Sequence, residues 1–194
     1  MGHLAIIALS LYTNAIATDD IGREVPFKEH EVDLTFRSLL SQNISDNGQR
    51  EVSCQRNWSS KIAGYVTCCR TEGTIKCLPS FIIAGVQKGG TTALSALLCT
   101  LDNISFSKKK EVHFFDNDEK FSLGLAGYLG HFRSWNLTNN DEQEPPVYGE
   151  STPFYIASRE ACRRISETIP DVKIIVLLRD PVSRAYSEYQ MKKR

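Results

Sequence analysis

The sequence predicts an α/β fold, a three-layer sandwich whose central parallel sheet is preceded by a polar, disulfide-tied stem. Two apolar runs, FIIA (81–84) and VKIIVLL (172–178), have the length and composition of buried strands. Each run leads into a segment with helical features, and alternating strands and helices are typical of a parallel sheet covered by helices. The charge is balanced, with 23 basic and 23 acidic residues, which argues against nucleic-acid binding through bulk electrostatics.

The N-terminus is predicted to be a cleaved secretory signal over residues 1–17. Its short apolar stretch ends in AIA (15–17), a small-x-small pattern typical of a cleavage site. An uncleaved membrane anchor or a buried helix is the alternative, although the run is short for the roughly 20 residues that span a membrane. Glycosylation acceptors of the form Asn-x-Ser/Thr also favour the secretory pathway, in the Golgi lumen or outside the cell. They are Asn43, Asn57, Asn103 and Asn136.

Residues 18–79 are predicted to form the stem, because they are polar and cysteines crowd its end. These cysteines are Cys54, Cys68, Cys69 and Cys77. No C-x-x-C pair occurs, so disulfides explain the cluster better than zinc, and the adjacent Cys68 and Cys69 are expected to bridge to different partners. Cys99 and Cys162 fall in predicted helices and are expected to be buried small apolar residues. No metal site is expected.

From Ser80 the pattern becomes that of a globular domain, which we assign to residues 80–194. After the first strand, TTALSALLCTL (91–101) has one helical face of leucines. That face consists of Leu94, Leu97, Leu98 and Leu101. EVHFF (111–115) is predicted to be a short strand or an extended loop, and PPVYGE (145–150) to be a further short strand.

The second half of this domain has clear helix boundaries. Ser158 is predicted to cap a helix whose buried stripe contains Ala161, Ile165 and Ile169. After the strand VKIIVLL, Asp180-Pro181 is expected to start the last helix, with proline at its favoured first position. Only about 115 residues follow Ser80, so we expect the domain to be incomplete.

The glycine-rich turn between the first strand and its helix, GVQKGGTT (85–92), is predicted to bind an anion. Backbone N–H groups of residues 89–92 would face the ligand at the helix N-terminus, and Lys88 adds a positive charge. A nucleotide-triphosphate loop would need lysine directly after Gly90, where Thr91 stands. The glycine spacing also excludes the dinucleotide pattern G-x-G-x-x-G. The alternative is a plain turn with a solvated lysine.

Motifs in residues 80–194 resemble one family. KGGTTAL, KKEVHFFD, GESTPFY and LLRDPVSRAYSEY resemble the sulfotransferases that use 3′-phosphoadenosine 5′-phosphosulfate (PAPS), above all the Golgi group that sulfates glycosaminoglycans such as heparan sulfate. The resemblance implies a P-loop-like fold and sulfuryl transfer from PAPS to a hydroxyl or amine of a carbohydrate. A non-catalytic nucleotide-binding or anion-binding relic, or an inactive fragment of that fold, is the alternative.

The resemblance also implies how PAPS is held. The 5′-phosphosulfate would lie on the loop formed by Lys88, Gly89, Gly90, Thr91 and Thr92. Lys88 would stabilise the charge that develops on the leaving oxygen, while the amides hold the phosphate still. Arg179, at the end of a strand, and Ser187, on the following helix, would hold the 3′-phosphate. The alternative for Arg179 is an ion pair with an acidic residue such as Asp180.

The resemblance places the acceptor chemistry near KKKEVHFF (108–115). Glu111 would be the general base, and His113 would orient the base or the acceptor; in an extended segment the two would share a face. Lys110, Asp116 and Ser151 are expected to contact the acceptor. Ser151 stands where heparan 3-O-type enzymes carry lysine, which leaves the particular acceptor open. Without the resemblance, Glu111 beside three lysines would be a surface ion-pair cluster.

Overall fold

The computed structural model describes residues 5–10, 17–18, 24–25, 52–60, 64–71, 73–135 and 146–193. The strands of this part of the chain are β1 (Ala5–Ser10), β2 (Ala17–Thr18), β3 (Glu24–Val25), β4 (Ser53–Ser59), β5 (Gly64–Thr71), β6 (Thr74–Cys77), β7 (Phe81–Gly85), β8 (Ile104–Phe106), β9 (Val147–Ser151) and β10 (Lys173–Leu178). The helices are α1 (Thr91–Leu98), α2 (Asp118–Phe121), α3 (Gly124–Leu129), α4 (Arg159–Thr168) and α5 (Pro181–Lys192), with a 3₁₀ turn at Tyr155–Ala157.

A mainly parallel sheet forms the centre of the fold. Its strand order is β1-β10-β7-β9-β8, in which β10, β7, β9 and β8 are parallel and β1 pairs with β10 in the antiparallel direction. Every residue of β7 and β9 is buried, as expected for strands covered on both faces. The predicted α/β class with a parallel sheet is confirmed.

Helices cover this sheet on its two faces. On one face, Ile82 of β7 belongs to a core cluster that also contains Ala161 and Ile165 of α4. On the other face, its neighbour Ile83 belongs to a second cluster, against which Leu94 of α1 packs. Because successive strand residues point to opposite faces, β7 contributes to both clusters. The result is a sandwich of three layers.

The predicted start of each of the last two helices is confirmed. The Ser158 side chain accepts a hydrogen bond from the backbone N–H of Ala161 at 3.1 Å, so it caps α4. The Asp180 carboxylate likewise accepts from the N–H of Ser183 at 2.8 Å, and Pro181 is the first residue of α5.

The predicted leucine face is packed only in part. Leu94 and Leu98 pack against the sheet, whereas Leu97 and Leu101 are 64% and 49% exposed. The expectation that Cys99 and Cys162 are buried was wrong, because both are exposed. Cys99 lies at the end of α1, and Cys162 is one residue beyond the buried Ala161, a rotation of about 100° around the helix.

The cysteine-rich end of the stem folds as a sheet of its own. Strands β4, β5 and β6 are antiparallel, and disulfides join Cys54 to Cys69 and Cys68 to Cys77. The expectation that the adjacent Cys68 and Cys69 bridge to different partners is therefore confirmed. Cys68, Cys69 and Cys77 belong to the same buried cluster as β7, so this end of the stem packs onto the domain.

The predicted leader and glycosylation sites are only partly covered by the described residues. Ala5–Ser10 form the edge strand β1, and cleavage after residue 17 stays a prediction. Asn43 and Asn136 lie outside the described residues, Asn57 lies in β4, and Asn103 is exposed just before β8. Glycosylation stays a prediction. None of the helices in the described part of the chain has the length and apolar character needed to cross a membrane.

Candidate active site

One open pocket of about 330 Å³ brings together most of the residues predicted to form the site. Those that line it are Lys88, Gly90, Thr91, Thr92, Lys110, Glu111, Arg179 and Ser187. They come from segments that follow β7, β8 and β10, and Pro153, which also lines the pocket, follows β9. The carboxyl ends of parallel strands meet at one edge of the sheet, which is where α/β proteins bind ligands.

The turn after β7 depends on two glycines. A side chain at Gly89 would place its Cβ 2.8 Å from the carbonyl oxygens of both Val86 and Leu177, which is too close. Gly90 precedes α1 with φ of 102°, a conformation that favours glycine. Lys88 is also left-handed, with φ of 65°. The turn is therefore tight enough to bring its backbone against the end of β10.

One of the four backbone N–H groups predicted to face an anion is engaged elsewhere. The N–H of Gly89 donates to the Val86 carbonyl at 2.9 Å, so it closes the turn and is not directed at a ligand. Gly90, Thr91 and Thr92 line the pocket at the start of α1, where helix geometry leaves N–H groups without an intrahelical partner. These three residues form the N–H side of the site.

Arg179 connects β10 to the glycine-rich turn. Its guanidinium donates a hydrogen bond to the Lys88 carbonyl at 3.1 Å, and the N–H of Val86 donates to the Leu177 carbonyl at 3.1 Å. The side chain of Asp180 is engaged in capping α5. Because a guanidinium carries five N–H donors, Arg179 can hold the turn and still bind an anion in the pocket with Ser187.

The segment that contains Glu111 and His113 is not extended. Both residues have left-handed backbones, with φ of 55° and 53°. Their side chains still approach, because Oε2 of Glu111 lies 3.6 Å from Nε2 of His113. The other ring nitrogen of His113 lies 2.7 Å from Oδ2 of Asp116. His113 thus lies between two carboxylates.

Asp116 and Ser151 are buried and lie outside the pocket lining. The Asp116 side chain is 5% exposed and contacts the ring of His113. Ser151 is 3% exposed at the end of β9. Neither residue lines the pocket. Their burial does not support the predicted contacts with an acceptor.

Lys110 points into the pocket and joins its two sides. Its ammonium donates to the hydroxyl of Thr92 at 2.9 Å and lies 3.8 Å from Oε1 of Glu111. The lysine therefore connects the start of α1 to the predicted base, and it adds a second positive charge beside Lys88.

Sequence reasoning missed Glu150, whose side chain is fully buried beneath this segment. Its carboxylate accepts hydrogen bonds from the hydroxyls of Tyr128, Thr152 and Tyr155. Burial raises the pKa of Glu150, and these hydrogen bonds partly offset the shift. Burial and the neighbouring carboxylate also raise the pKa of Tyr155. A carboxylate in an otherwise buried strand is the sequence signal that could have found it.

The part of the chain that contains the pocket matches a known protein family. Residues 78–194 match the family model described as the sulfotransferase domain. The chain belongs to this family. The match contains every residue that lines the pocket, whereas β4, β5 and β6 precede it.

Two curated relatives of the chain carry sulfotransferase names. The membrane-associated sulfotransferase kil1 of Dictyostelium discoideum is 37% identical over 123 residues, which are 63% of this chain and 25% of the relative. Human heparan sulfate glucosamine 3-O-sulfotransferase 3A1 is 42% identical over 118 residues, which are 61% of this chain and 26% of the relative. The chain thus spans about a quarter of the length of each.

A solved structure is similar as well. The crystal structure of a sulfotransferase from Alicyclobacillus acidocaldarius aligns with a TM-score of 0.44 and 27% identity. The alignment covers 59% of this chain and 49% of that chain.

Proposed function

We propose that this sulfotransferase transfers the sulfuryl group of PAPS to a hydroxyl or amine of a carbohydrate, with a glycosaminoglycan as the acceptor class. The observation that carries the proposal is that Lys88, Arg179 and Glu111 line one pocket. An anion site and a proton acceptor therefore share a cavity, as an in-line displacement requires.

PAPS would bind along the glycine-rich turn, the residue that follows β10 and helix α5. The 5′-phosphosulfate would accept from the N–H groups of Gly90, Thr91 and Thr92, and the 3′-phosphate from Arg179 and Ser187. Charged hydrogen bonds of this kind are the stronger ones in proteins. The family membership supports PAPS as the co-substrate.

Transfer would proceed by attack of the acceptor oxygen or nitrogen on sulfur. The bond between sulfur and the bridging phosphate oxygen breaks, and the electron pair stays with adenosine 3′,5′-bisphosphate (PAP). Lys88 would stabilise that leaving oxygen, and Glu111 would take the acceptor proton. His113, 3.6 Å from Glu111, would orient the base. The step needs no metal.

The acceptor class follows from charge and from the relatives. Lys110 lines the pocket and directly follows Lys108 and Lys109 in the chain, a run of positive charge that suits an anionic polysaccharide. A related protein carries a name that specifies sulfation of heparan sulfate glucosamine. We also propose the secretory pathway, which the two disulfides support because such bonds persist in oxidising compartments.

The experiment is transfer of radiolabelled sulfate from PAPS to heparan sulfate, with chondroitin sulfate as a second acceptor. K88A should lower kcat about 100- to 1,000-fold, the effect typical of removing one transition-state donor. E111Q should lower kcat about 100- to 10,000-fold and leave the affinity for PAP nearly unchanged. K173A, at the opposite end of β10, serves as the matched control.

Two results would contradict the proposal. Wild-type protein that binds PAP but transfers no sulfate to either acceptor would favour a non-catalytic relic of the fold. Loss of PAP affinity in E111Q would show that Glu111 belongs to the nucleotide site and is not the base.

A further inference from the structure

The buried carboxylate of Glu150 fixes the direction of the hydrogen bonds around it. Oε1 lies 2.7 Å from the hydroxyls of both Thr152 and Tyr155, and Oε2 accepts from Tyr128. When Glu150 is ionised it has no donor, so each hydroxyl then donates its single proton to the carboxylate. The hydroxyl oxygens of Thr152 and Tyr155 are then available only as acceptors on their other side.

Two of these hydroxyls accept hydrogen bonds from backbone N–H groups of the segment that contains the proposed base, Glu111. The N–H of Phe114 donates to the Tyr155 hydroxyl at 3.0 Å, and the N–H of His113 donates to the Thr152 hydroxyl at 3.4 Å. Tyr128 has the same bond to Glu150 but accepts from no backbone amide in the described part of the chain. Glu150 is thus connected to the 111–116 segment through two hydroxyls only.

The segment needs such support because its backbone is strained. A left-handed backbone is unfavourable for a residue other than glycine and persists only where the surroundings hold it. Glu111 and His113 both have this conformation. The backbone N–H groups of both residues donate to the end of β9 and the residue after it, since the N–H of Glu111 donates to the Ser151 carbonyl at 3.1 Å and that of His113 to the Thr152 hydroxyl.

We propose that Glu150 is a positioning residue for the sulfuryl transfer. Through Thr152 and Tyr155 it holds the left-handed segment so that Glu111 faces the pocket and His113 stays beside it. Glu150 itself lines no part of the pocket and touches no substrate. This inference rests on the proposed function for its kinetic consequence, but its structural consequence can be measured without activity.

A matched pair of tyrosine variants tests the structural consequence. Y155F and Y128F each remove one phenolic hydroxyl from Glu150, and both rings are fully buried. Only Y155F removes the acceptor of the Phe114 N–H. Amide hydrogen exchange at Phe114 in the intact protein should therefore be about tenfold faster in Y155F than in Y128F, as for the loss of one hydrogen bond. Equal exchange in the two variants would overturn the proposal.

The kinetic consequence is measured with PAPS and heparan sulfate. Y155F should lower kcat about tenfold with an unchanged KM for PAPS, whereas Y128F should leave kcat near the wild-type value. Equal kcat values for the two variants would overturn the positioning role. If the wild type transfers no sulfate, the proposed function fails, and the exchange comparison still decides whether the Tyr155 hydroxyl bound to Glu150 holds the segment.

A second pair keeps the test valid if Y155F does not fold. T152V removes the hydroxyl that accepts from His113 with little change of volume, and T152S retains it. Amide exchange at His113 should be faster and kcat lower in T152V than in the wild type, and both should return to near wild-type values in T152S. A T152S variant as impaired as T152V would overturn the role of the Thr152 hydroxyl, because the loss would then come from the missing methyl group.

Discussion

A methyl group at Gly89 should separate the phosphate site from the strand that supports it. In G89A the new Cβ would lie 2.8 Å from two backbone oxygens, those of Val86 and Leu177, whereas ordinary contacts begin at 3.4 Å. The difference, 3.4 minus 2.8, requires a movement of about 0.6 Å. Leu177 is held in the sheet by the pairing of β10 with β1 and β7, so the turn must move.

G89A is expected to lower both the stability of the fold and the affinity for PAP. Overpacking of this kind lowers the free energy of unfolding by about 1–3 kcal/mol. Displacement of the turn also removes or weakens a hydrogen bond to a charged phosphate, which is worth about 1.5–3 kcal/mol. We therefore expect the affinity for PAP to fall about 10- to 150-fold.

Isothermal titration with PAP, together with urea denaturation, separates these two parts. The matched control is G149A, whose Cβ would lie 2.3 Å from the Phe81 ring inside the sheet. G149A should lose stability without a comparable loss of PAP affinity. Wild-type affinity in G89A, or equal losses of affinity in both variants, would refute the assignment of the turn as the phosphate site.

Two further predictions concern stability. Burial raises the pKa of Glu150, so the folded protein binds a proton there more tightly than the unfolded chain does. The stability that this group contributes is therefore lost as pH rises from about 4.3, the unfolded value, through the folded pKa. The free energy of unfolding of wild type minus that of E150Q should thus be larger at pH 5 than at pH 7.5 in urea titrations, and an increase with pH would contradict the raised pKa. Replacing Cys54 and Cys69 by serine opens a 15-residue separation and should cost about 3 kcal/mol by calorimetry or urea denaturation, whereas an unchanged free energy of unfolding would contradict a structural role for this disulfide.

The parts of the fold that the sequence predicts well are determined by neighbouring residues. Ser158 and Asp180 cap helices with bonds to N–H groups three residues away, so a short stretch of sequence contains the whole interaction. The apolar strands are similarly recognisable because burial on both faces demands continuous apolar residues. The glycine-rich turn is predictable because few other residues fit its backbone.

The features that could not be predicted depend on residues far apart in the chain. Nothing in EVHFF indicates left-handed backbones at Glu111 and His113, since the segment contains no glycine and other residues adopt this conformation uncommonly. The backbone of this segment is held by residues about 40 positions later in the chain. The exposure of Leu97 and Leu101 depends on how far α1 extends along the sheet, which periodicity does not specify.

The most direct test of the account is a crystal structure of the protein in complex with PAP. We expect the 5′-phosphate within hydrogen-bonding distance of the Thr91 N–H and the Lys88 ammonium, the 3′-phosphate at Arg179, and the Glu111 carboxylate facing the space beyond the 5′-phosphate. PAP bound away from the turn, or Glu111 directed into a separate region of the surface, would contradict the central claim that one cavity holds both the activated sulfate and the base.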